Sequence, residues 1–405
     1  MELADVALLT SPEGRHLLAD LPAYDERTAL VIGERLRRAG HSAALVSAAL
    51  TQSRLRTKAA LRWGPAGAEL LPHILLTPDG AEQATRPTVA GLRAARFADR
   101  GAGRFIADIG CGVGLDALAF ADAGLRVGAY DKDPLTAEVA AANAQARGHS
   151  ERISVTAADV TTLLDETWSK YDAVFADPAR RREGRRLTRP QSWSPPLSWV
   201  LDLPVKSLGV KVAPGLDHDL VPAGTEFCVV SDGGAVVEAA LYRGSLRAVG
   251  ITRSATLLPA GARVTDADLP TTRPPIRAVG SHLHEPDGAV IRAGLVAAVV
   301  AQVEGWLLDP RIAYISTDLP VSSPFLSSYQ VLDVMPFSLK RLRNYLREHE
   351  VGHVVIKKRG SAIDVDTLRG SLRLDRSAPK RRTIVLTRIG DDPTVVVCRG
   401  KDVSS

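Results

Sequence analysis

Three glycines alternate in the run Ile106-Ala107-Asp108-Ile109-Gly110-Cys111-Gly112-Val113-Gly114-Leu115-Asp116, where an apolar stretch gives way to the helical pattern Ala117-Leu118-Ala119-Phe120. Glycine there lets the chain turn sharply and brings backbone close to a ligand, and the helix that follows begins with unpaired N–H groups. That is the chemistry of a cofactor-binding turn, built by Asp108, Gly110, Gly112 and Gly114. The spacing is G-x-G-x-G, whereas a dinucleotide turn calls for G-x-G-x-x-G, and Leu115 stands where its third glycine belongs. Downstream, Asp131 closes the strand pattern Arg126-Val127-Gly128-Ala129-Tyr130, the place where doubly wound folds set an acid for ribose hydroxyls. Asp159 follows a third strand at Ile153-Ser154-Val155, and Asp177-Pro178-Ala179-Arg180 follows a fourth, Ala173-Val174-Phe175-Ala176. An Asp at a strand end also serves as a turn residue or helix cap, so it is the ordered recurrence of strand then acid that points to a ligand.

This series resembles the class I S-adenosylmethionine-dependent methyltransferases. The resemblance implies that Asp108 and the glycines border the methionine part of the donor, that Asp131 holds the ribose hydroxyls, that Asp159 faces the adenine amino group, and that Asp177-Pro178 lies beside the substrate. Upstream, Ala81-Glu82-Gln83-Ala84-Thr85-Arg86-Pro87 looks like the Glu-Gln-x-x-Thr segment of adenine-N6 RNA methyltransferases, with one residue fewer between Gln and Thr. In that family the segment crosses the cofactor pocket, which would put Gln83 and Thr85 near the methionine carboxylate or sulfonium. Thr85 is equally a candidate N-cap, with Pro87 in the first turn of the next helix.

Methyl transfer from a sulfonium needs little acid–base machinery, because the donor is already activated and the protein mainly aligns and dries the site. The expected catalytic residues are Asp177, Pro178 and Arg180, which occupy the place of the Asp/Asn-Pro-Pro-aromatic motif of amino methyltransferases. Here Ala179 replaces the second proline and Arg180 the aromatic, which loosens the tie to adenine N6. Arg180 can stack on a base or grip a phosphate, and Arg181, Arg182, Arg185, Arg186 and Arg189 continue the charge with only Glu183 opposing. Trp193 and Trp199 are candidates for a stacking platform or for core. Lys211 ends a central strand at the same sheet edge, placed to touch substrate or to snorkel. Asp-Pro-Ala-Arg also looks like the Asp-Pro-Pro-Arg of uridine-C5 methyltransferases, which need a nucleophilic Cys. The candidate, Cys228, lies in an apolar strand and reads as buried.

The elements that must position these residues fit a chain of 405 residues, long enough for two or three domains. With 45% hydrophobic and 24% charged residues it is neither disordered nor membrane-like, and no apolar run reaches the ~18 residues a bilayer span requires. The start Met1-Glu2-Leu3-Ala4-Asp5 lacks the pattern of a secretory leader, so a cytoplasmic protein without a membrane partner is expected. Cys111, Cys228 and Cys398 make no metal spacing or disulfide framework, and His282 and His284 lack a third ligand, so no metal is expected. Residues 1–95 read as helical: Asp25 caps Glu26 to Ala39, Gly40 stops it, and a second helix runs through Leu45 to Trp63 before Gly64-Pro65. Residues 96–277 read as a Rossmann-like seven-stranded α/β sheet, mostly parallel with one reversed edge strand. Its later strands fall at Leu208 to Val212, Glu226 to Val230 and Ala248 to Leu257, the last two as a hairpin. Residues 278–335 form a connecting region with an apolar helix from Gly294 to Leu307 and a strand at Ile312 to Ile315.

Residues 336–405 read helix, strand, helix, strand, strand. This small α+β module resembles the THUMP-like domains that accompany such methyltransferases, relatives of the THUMP modules of tRNA-modifying enzymes. From Pro336 onward there are sixteen Lys or Arg against eight Asp or Glu, a balance of +8, which leaves the first 335 residues at −3. A phosphate backbone is the commonest reason for such concentration, and a solvated face is the alternative. The sequence therefore leads to an enzyme that moves a methyl group from S-adenosylmethionine to a nucleobase in structured RNA, tRNA or rRNA. The alternatives are a small-molecule or protein methyltransferase with a C-terminal docking module, and a catalytically silent RNA-binding protein.

Overall fold

The computed structural model describes residues 1–100, 103–182, 185–187 and 189–399. The chain divides into two compact units, Met1–Phe227 with Glu238–Val249 and Cys228–Val237 with Gly250–Ser405. The first unit opens with four helices, Leu3–Thr10, Pro12–Asp20, Glu26–Arg38 and Ala43–Trp63. The third and fourth match the sequence expectation to within a residue or two. Asp25 accepts from Arg27 N at 2.9 Å and Ser42 from Leu45 N at 3.2 Å, satisfying donors that a helix start leaves unpaired. Gly64 ends the fourth helix at φ 62°, a left-handed conformation that side chains resist. The first two helices carry only weak periodicity, and the sequence pattern does not delimit them.

The sheet of this unit contains β1 (Phe105–Ile109), β2 (Arg126–Asp131), β3 (Ile153–Ala157), β4 (Ala173–Ala176), β5 (Leu208–Val212) and β7 (Ala235–Arg243), with β6 (Glu226–Asp232) preceding β7 in the chain. The strand order is β7-β5-β4-β1-β2-β3, parallel except for β7 against β5. A parallel sheet needs helices on its faces. They are Pro87–Asp99, Leu115–Asp122 and Pro134–Ala146. Phe97 and Phe120 meet at 4.8 Å between ring centroids, and Phe120 meets Phe175 of β4 at 6.0 Å. Each is fully buried, worth roughly 1.5–3 kcal/mol per ring in apolar transfer. This core fixes where β1 and β4 end.

β7 corrects the expected hairpin between Glu226–Val230 and Ala248–Leu257. Gly233 and Gly234, both at positive φ, reverse the chain directly after β6. The later strand β8 (Arg253–Leu258) instead turns back into β9 (Ala262–Thr265).

In the second unit the strands β10 (His282–Pro286), β11 (Trp306–Asp309), β12 (Ile312–Thr317), β13 (Leu326–Pro336), β14 (Val351–Lys358), β15 (Lys380–Ile389) and β16 (Asp392–Arg399) form one sheet. Its order is β11-β12-β10-β13-β16-β15-β14. The helix expected over Gly294 to Leu307 is shorter, Val296–Gln302, because Gly305 and the large Trp306 pass into β11. Helices Leu339–Glu348 and Val365–Leu372 cover one face through Leu342, Leu346, Leu368 and Leu372, packed on Ile384, Leu386, Val395 and Val397. On the other face Tyr314, Tyr329, Val385, Val396 and Cys398 make a second core. No described helix is long and apolar enough to cross a membrane.

Candidate active site

The glycine turn follows β1. Gly110, Gly112 and Gly114 all have positive φ, 72°, 56° and 87°, which explains three glycines in five positions. A Cβ on Gly110 would lie 2.5 Å from the Asp177 carbonyl oxygen, so the donor turn and the end of β4 touch through backbone. A Cβ on Gly112 would meet nothing within 4 Å, which leaves open space beside the turn. The turn's amides face inward: Gly110 N and Cys111 N donate to Tyr130 O at 2.8 and 3.0 Å, Gly112 N to Asp131 Oδ2 at 3.0 Å and Gly114 N to Cys111 O at 2.9 Å. With these four donors spent, the turn does not form the amide cradle that grips a pyrophosphate.

Asp108 is fully buried in β1, and neither carboxylate oxygen has a hydrogen-bond partner. Burial pushes its carboxyl up to about 7; Arg93 and Lys211 oppose the shift, and Asp177 and Asp131 add to it. An orphaned buried carboxylate fits a ligand with a cationic group. Asp131 binds the turn itself: Oδ2 takes Gly112 N and Oδ1 takes Asp133 N at 3.0 Å, leaving further lone pairs for ribose hydroxyls. Burial raises its carboxyl and those two amides draw it back down. Asp159 is exposed and caps the short turn Val160–Thr162, accepting from Thr161 N at 3.0 Å and Thr161 Oγ1 at 2.7 Å.

Thr85 and Gln83 diverge. Gln83 ends the helix Pro78–Gln83 and is exposed, whereas Thr85 is buried and donates to Asp116 Oδ2 at 2.7 Å. Thr85 is not the N-cap of the next helix; Arg86 holds that position. Asp177 accepts from Lys211 Nζ at 2.6 Å, and the same ammonium reaches Thr85 Oγ1 at 3.3 Å and Glu238 Oε2 at 3.9 Å. Arg93, also buried, donates to Asp116 and to Glu238 while its guanidinium lies 4.1 Å from the Phe175 centroid. The result is a ring of charge, Asp177–Lys211–Thr85–Asp116–Arg93–Glu238, that ties the end of β4 to Thr85 and to the helix after the glycine turn. Its three carboxylates outnumber its two cations, and Asp108 and Asp131 add more acid, so the site suits a positively charged donor.

Sequence reasoning missed Arg93, Asp116 and Glu238. The available signal was a lone charge on a buried stripe: Arg93 among Val89, Ala90, Ala94 and Phe97, and Glu238 within an apolar strand. Pro178 is buried and Arg180 half-buried, with the guanidinium 5.9 Å from the Trp193 ring centroid. Trp193 is core rather than platform: it is 3% exposed and donates Nε1 to Leu187 O. Trp199 packs edge-on to Trp168. Of the arginine-rich loop, residues 183, 184 and 188 and the side chains of Arg181, Arg182, Arg185 and Arg186 lie outside the described residues. The backbone of Arg181–Arg182 pairs antiparallel with Arg185–Arg186.

In the second unit, helix Leu339–Glu348 keeps Lys340, Arg341 and Arg347 exposed, while Arg343 turns inward to Ser371 O at 2.6 Å. A groove of about 450 Å³ runs beside it, lined by Asp333, Lys340, Arg341, Asn344 and Tyr345 among others. Lys358 is exposed, but Lys357 and Arg359 are half-buried and paired with Glu285 of β10. Cys228 is buried in β6. His284 is held between Ser328 and Thr317 hydroxyls at 2.9 Å each, with burial lowering it to about 4. Among the described residues no group of three or more His, Cys, Asp or Glu converges as a metal site.

Residues 106–182 match a methyltransferase domain, residues 326–400 a THUMP domain-like family, and residues 2–59 a domain of unknown function. A crystallised methyltransferase candidate from Porphyromonas gingivalis W83 shares the fold at a TM-score of 0.71 and 18% identity, covering 94% of this chain and 100% of that one. An uncharacterized S-adenosylmethionine-dependent methyltransferase of Mycobacterium tuberculosis, in strains CDC 1551 / Oshkosh and H37Rv, is 36% identical over 359 residues, 85% of this chain and 94% of the relative. With that likeness running through both units, the chain belongs to the S-adenosylmethionine-dependent methyltransferases, and its methyl donor is S-adenosylmethionine.

Proposed function

We propose that the enzyme methylates a nucleobase in structured RNA, tRNA or rRNA, and that Asp177 orients the acceptor. The observation that carries this reading is Asp177 itself: a carboxylate at the end of β4, in backbone contact with the donor turn and pinned through one oxygen by Lys211. The bound donor supplies a methyl group already activated on sulfur, so the protein's task is alignment. Asp108 offers its unpartnered carboxylate to the donor's cationic part, Asp131 offers lone pairs to the ribose hydroxyls, and Gly110, Gly112 and Gly114 leave room for the ligand to approach. Gln83 and Thr85 border the methionine end and Asp159 the adenine end. Lys211 occupies Asp177 Oδ2, which leaves Oδ1 to accept a hydrogen bond from an acceptor N–H and to take its proton as the new bond to carbon forms. Buried Pro178 keeps that carboxylate's backbone fixed, and Arg180 supplies a planar cation beside Trp193 for a base or a phosphate.

The RNA reading draws support from the THUMP-like module, whose first helix carries Lys340, Arg341 and Arg347 on its exposed side. Carbon methylation through a cysteine nucleophile is not favoured, since Cys228 is 4% exposed within a strand. The test is transfer of labelled methyl from S-adenosylmethionine to RNA from a strain lacking the gene, followed by nucleoside analysis. Label in protein or small molecules and none in RNA defeats the proposal.

A further inference from the structure

The helix Ala43–Trp63 carries no group that does chemistry, yet it is bonded into the donor site. Gln52, fully buried, donates to Leu76 O at 2.8 Å and accepts from Leu76 N at 2.9 Å. One turn later Arg56 donates Nε and Nη2 to Ile74 O at 3.1 and 2.9 Å. Lys58 pairs with Glu82 Oε1 at 2.6 Å, and one turn beyond it Arg62 donates one Nη to Glu82 O and the other to Ala84 O. Four polar side chains of one helix thus spend their bonds on a single stretch, residues 74–84.

The other side of that stretch is tied to the donor turn. Asn143, fully buried, accepts from Leu75 N at 2.6 Å and donates to Leu75 O at 3.0 Å and Val113 O at 2.9 Å. Gly80 sits so close that a Cβ would come 2.6 Å from Val113 Cγ1. The stretch ends at Thr85, which joins Asp116 and Lys211. Arg62 matters most, because Glu82 O and Ala84 O lie at the end of the helix Pro78–Gln83, where carbonyls have no partner within the helix. Burial lowers its guanidinium to about 10, with Arg86 adding to the shift and Glu82 opposing it, so it stays a cation at neutral pH. Apolar residues of the same helix, Leu45, Val46, Leu55 and Trp63 among them, already supply its packing. The polar set is a separate provision.

We propose that the N-terminal helical region is a wall of the donor site, with Arg62 the positioning residue that holds the Glu82–Thr85 backbone against the glycine turn. This rests on the reading that Gln83 and Thr85 border the donor. Arg62 touches neither donor nor acceptor; it acts through the backbone it holds.

The test uses the full chain with Arg62→Met and Arg62→Lys, reading S-adenosylmethionine affinity by calorimetry, backbone hydrogen exchange at residues 81–85, and folding by circular dichroism. Folded Arg62→Met should bind the donor roughly tenfold or more weaker, with faster exchange at 81–85, while kcat at saturating donor stays within about threefold. Arg62→Lys, able to reach one of the two carbonyls, should recover part of the affinity. Wild-type affinity in folded Arg62→Met overturns the proposal. Should that variant not fold, Arg62→Lys decides, with roughly three- to tenfold weaker binding expected and unchanged affinity overturning the claim. Asp131→Ala run alongside separates the two failures. Loss of binding there with none at Arg62 removes the wall and keeps the site; no loss at either removes both.

Discussion

Replacing Lys211 by Met removes a cation that touches Asp177 while keeping the stem's volume. The pair is 2.6 Å apart with side chains 8% and 25% exposed. At an effective dielectric constant of about 20 the gross attraction is roughly 6 kcal/mol, most of it offset by desolvation. Deleting one partner of a fully buried pair costs about 3–5 kcal/mol, and because a quarter of Asp177 reaches water the figure here is reduced to roughly 2–3 kcal/mol. If that energy holds the acceptor carboxylate in its reacting orientation, kcat falls about 30- to 150-fold in Lys211→Met. Donor affinity should change by less than about threefold, since toward the donor side the ammonium makes only a long 3.3 Å hydrogen bond to Thr85 Oγ1. Single-turnover methyl transfer beside calorimetric donor binding separates the two quantities, and Lys211→Arg should restore part of the rate. A folded Lys211→Met enzyme with wild-type kcat would refute the idea that the lysine orients Asp177.

Asp131→Ala should weaken S-adenosylmethionine binding tenfold or more, because it removes charge-assisted bonds worth roughly 1.5–3 kcal/mol each and frees Gly112 N; unchanged affinity by calorimetry would remove the ribose assignment. Asp108 is the pH-sensitive group. Its carboxyl goes from 3.8 to about 7 on folding, so between those values the folded chain holds a proton that the unfolded chain has lost, and stability falls as pH rises. Donor-free Asp108→Asn should therefore be more stable than wild type at pH 8, by up to about 4 kcal/mol in denaturant titrations, and should lose the advantage near pH 4; a pH-independent difference contradicts the burial argument. In the THUMP-like module, replacing Lys340, Arg341 and Arg347 should lower the log–log salt slope of RNA binding by about 2–3 units. Lys357→Met should leave that slope alone and lower stability instead, because it strips Glu285 of its closer partner.

What the sequence revealed and what it hid follow from locality. The glycine turn was legible because positive φ at Gly110, Gly112 and Gly114 leaves a residue-level mark, and Asp25 and Gly64 mark helix ends for the same kind of reason. The strand-then-acid order of Asp108, Asp131 and Asp177 was legible because a parallel sheet repeats its connection. The charged ring was not, since Arg93 and Glu238 are separated by most of the catalytic unit and meet only after β7 returns beside β5. β7 itself was hidden because its run from Ala239 to Tyr242 is apolar without the alternation of a half-buried strand. Trp193 shows the converse limit: its residue type left a stacking platform and core both open, and the fold uses it for packing. Asp159, the strand-end acid that suggested adenine, is seen to cap Val160–Thr162, because residue type alone does not separate a cap from a ligand contact.

The central claim is that Asp177 orients a nucleobase of structured RNA for methylation. It is tested most directly by incubating wild type and Asp177→Ala with isotopically labelled S-adenosylmethionine and RNA from a strain lacking the gene, then analysing the nucleosides by mass spectrometry. Wild type should give one labelled methylnucleoside, Asp177→Ala should lose it by a factor of roughly a hundred or more, and the two proteins should bind the donor equally. Labelled nucleoside formed equally by both proteins, or none formed by wild type, would contradict it.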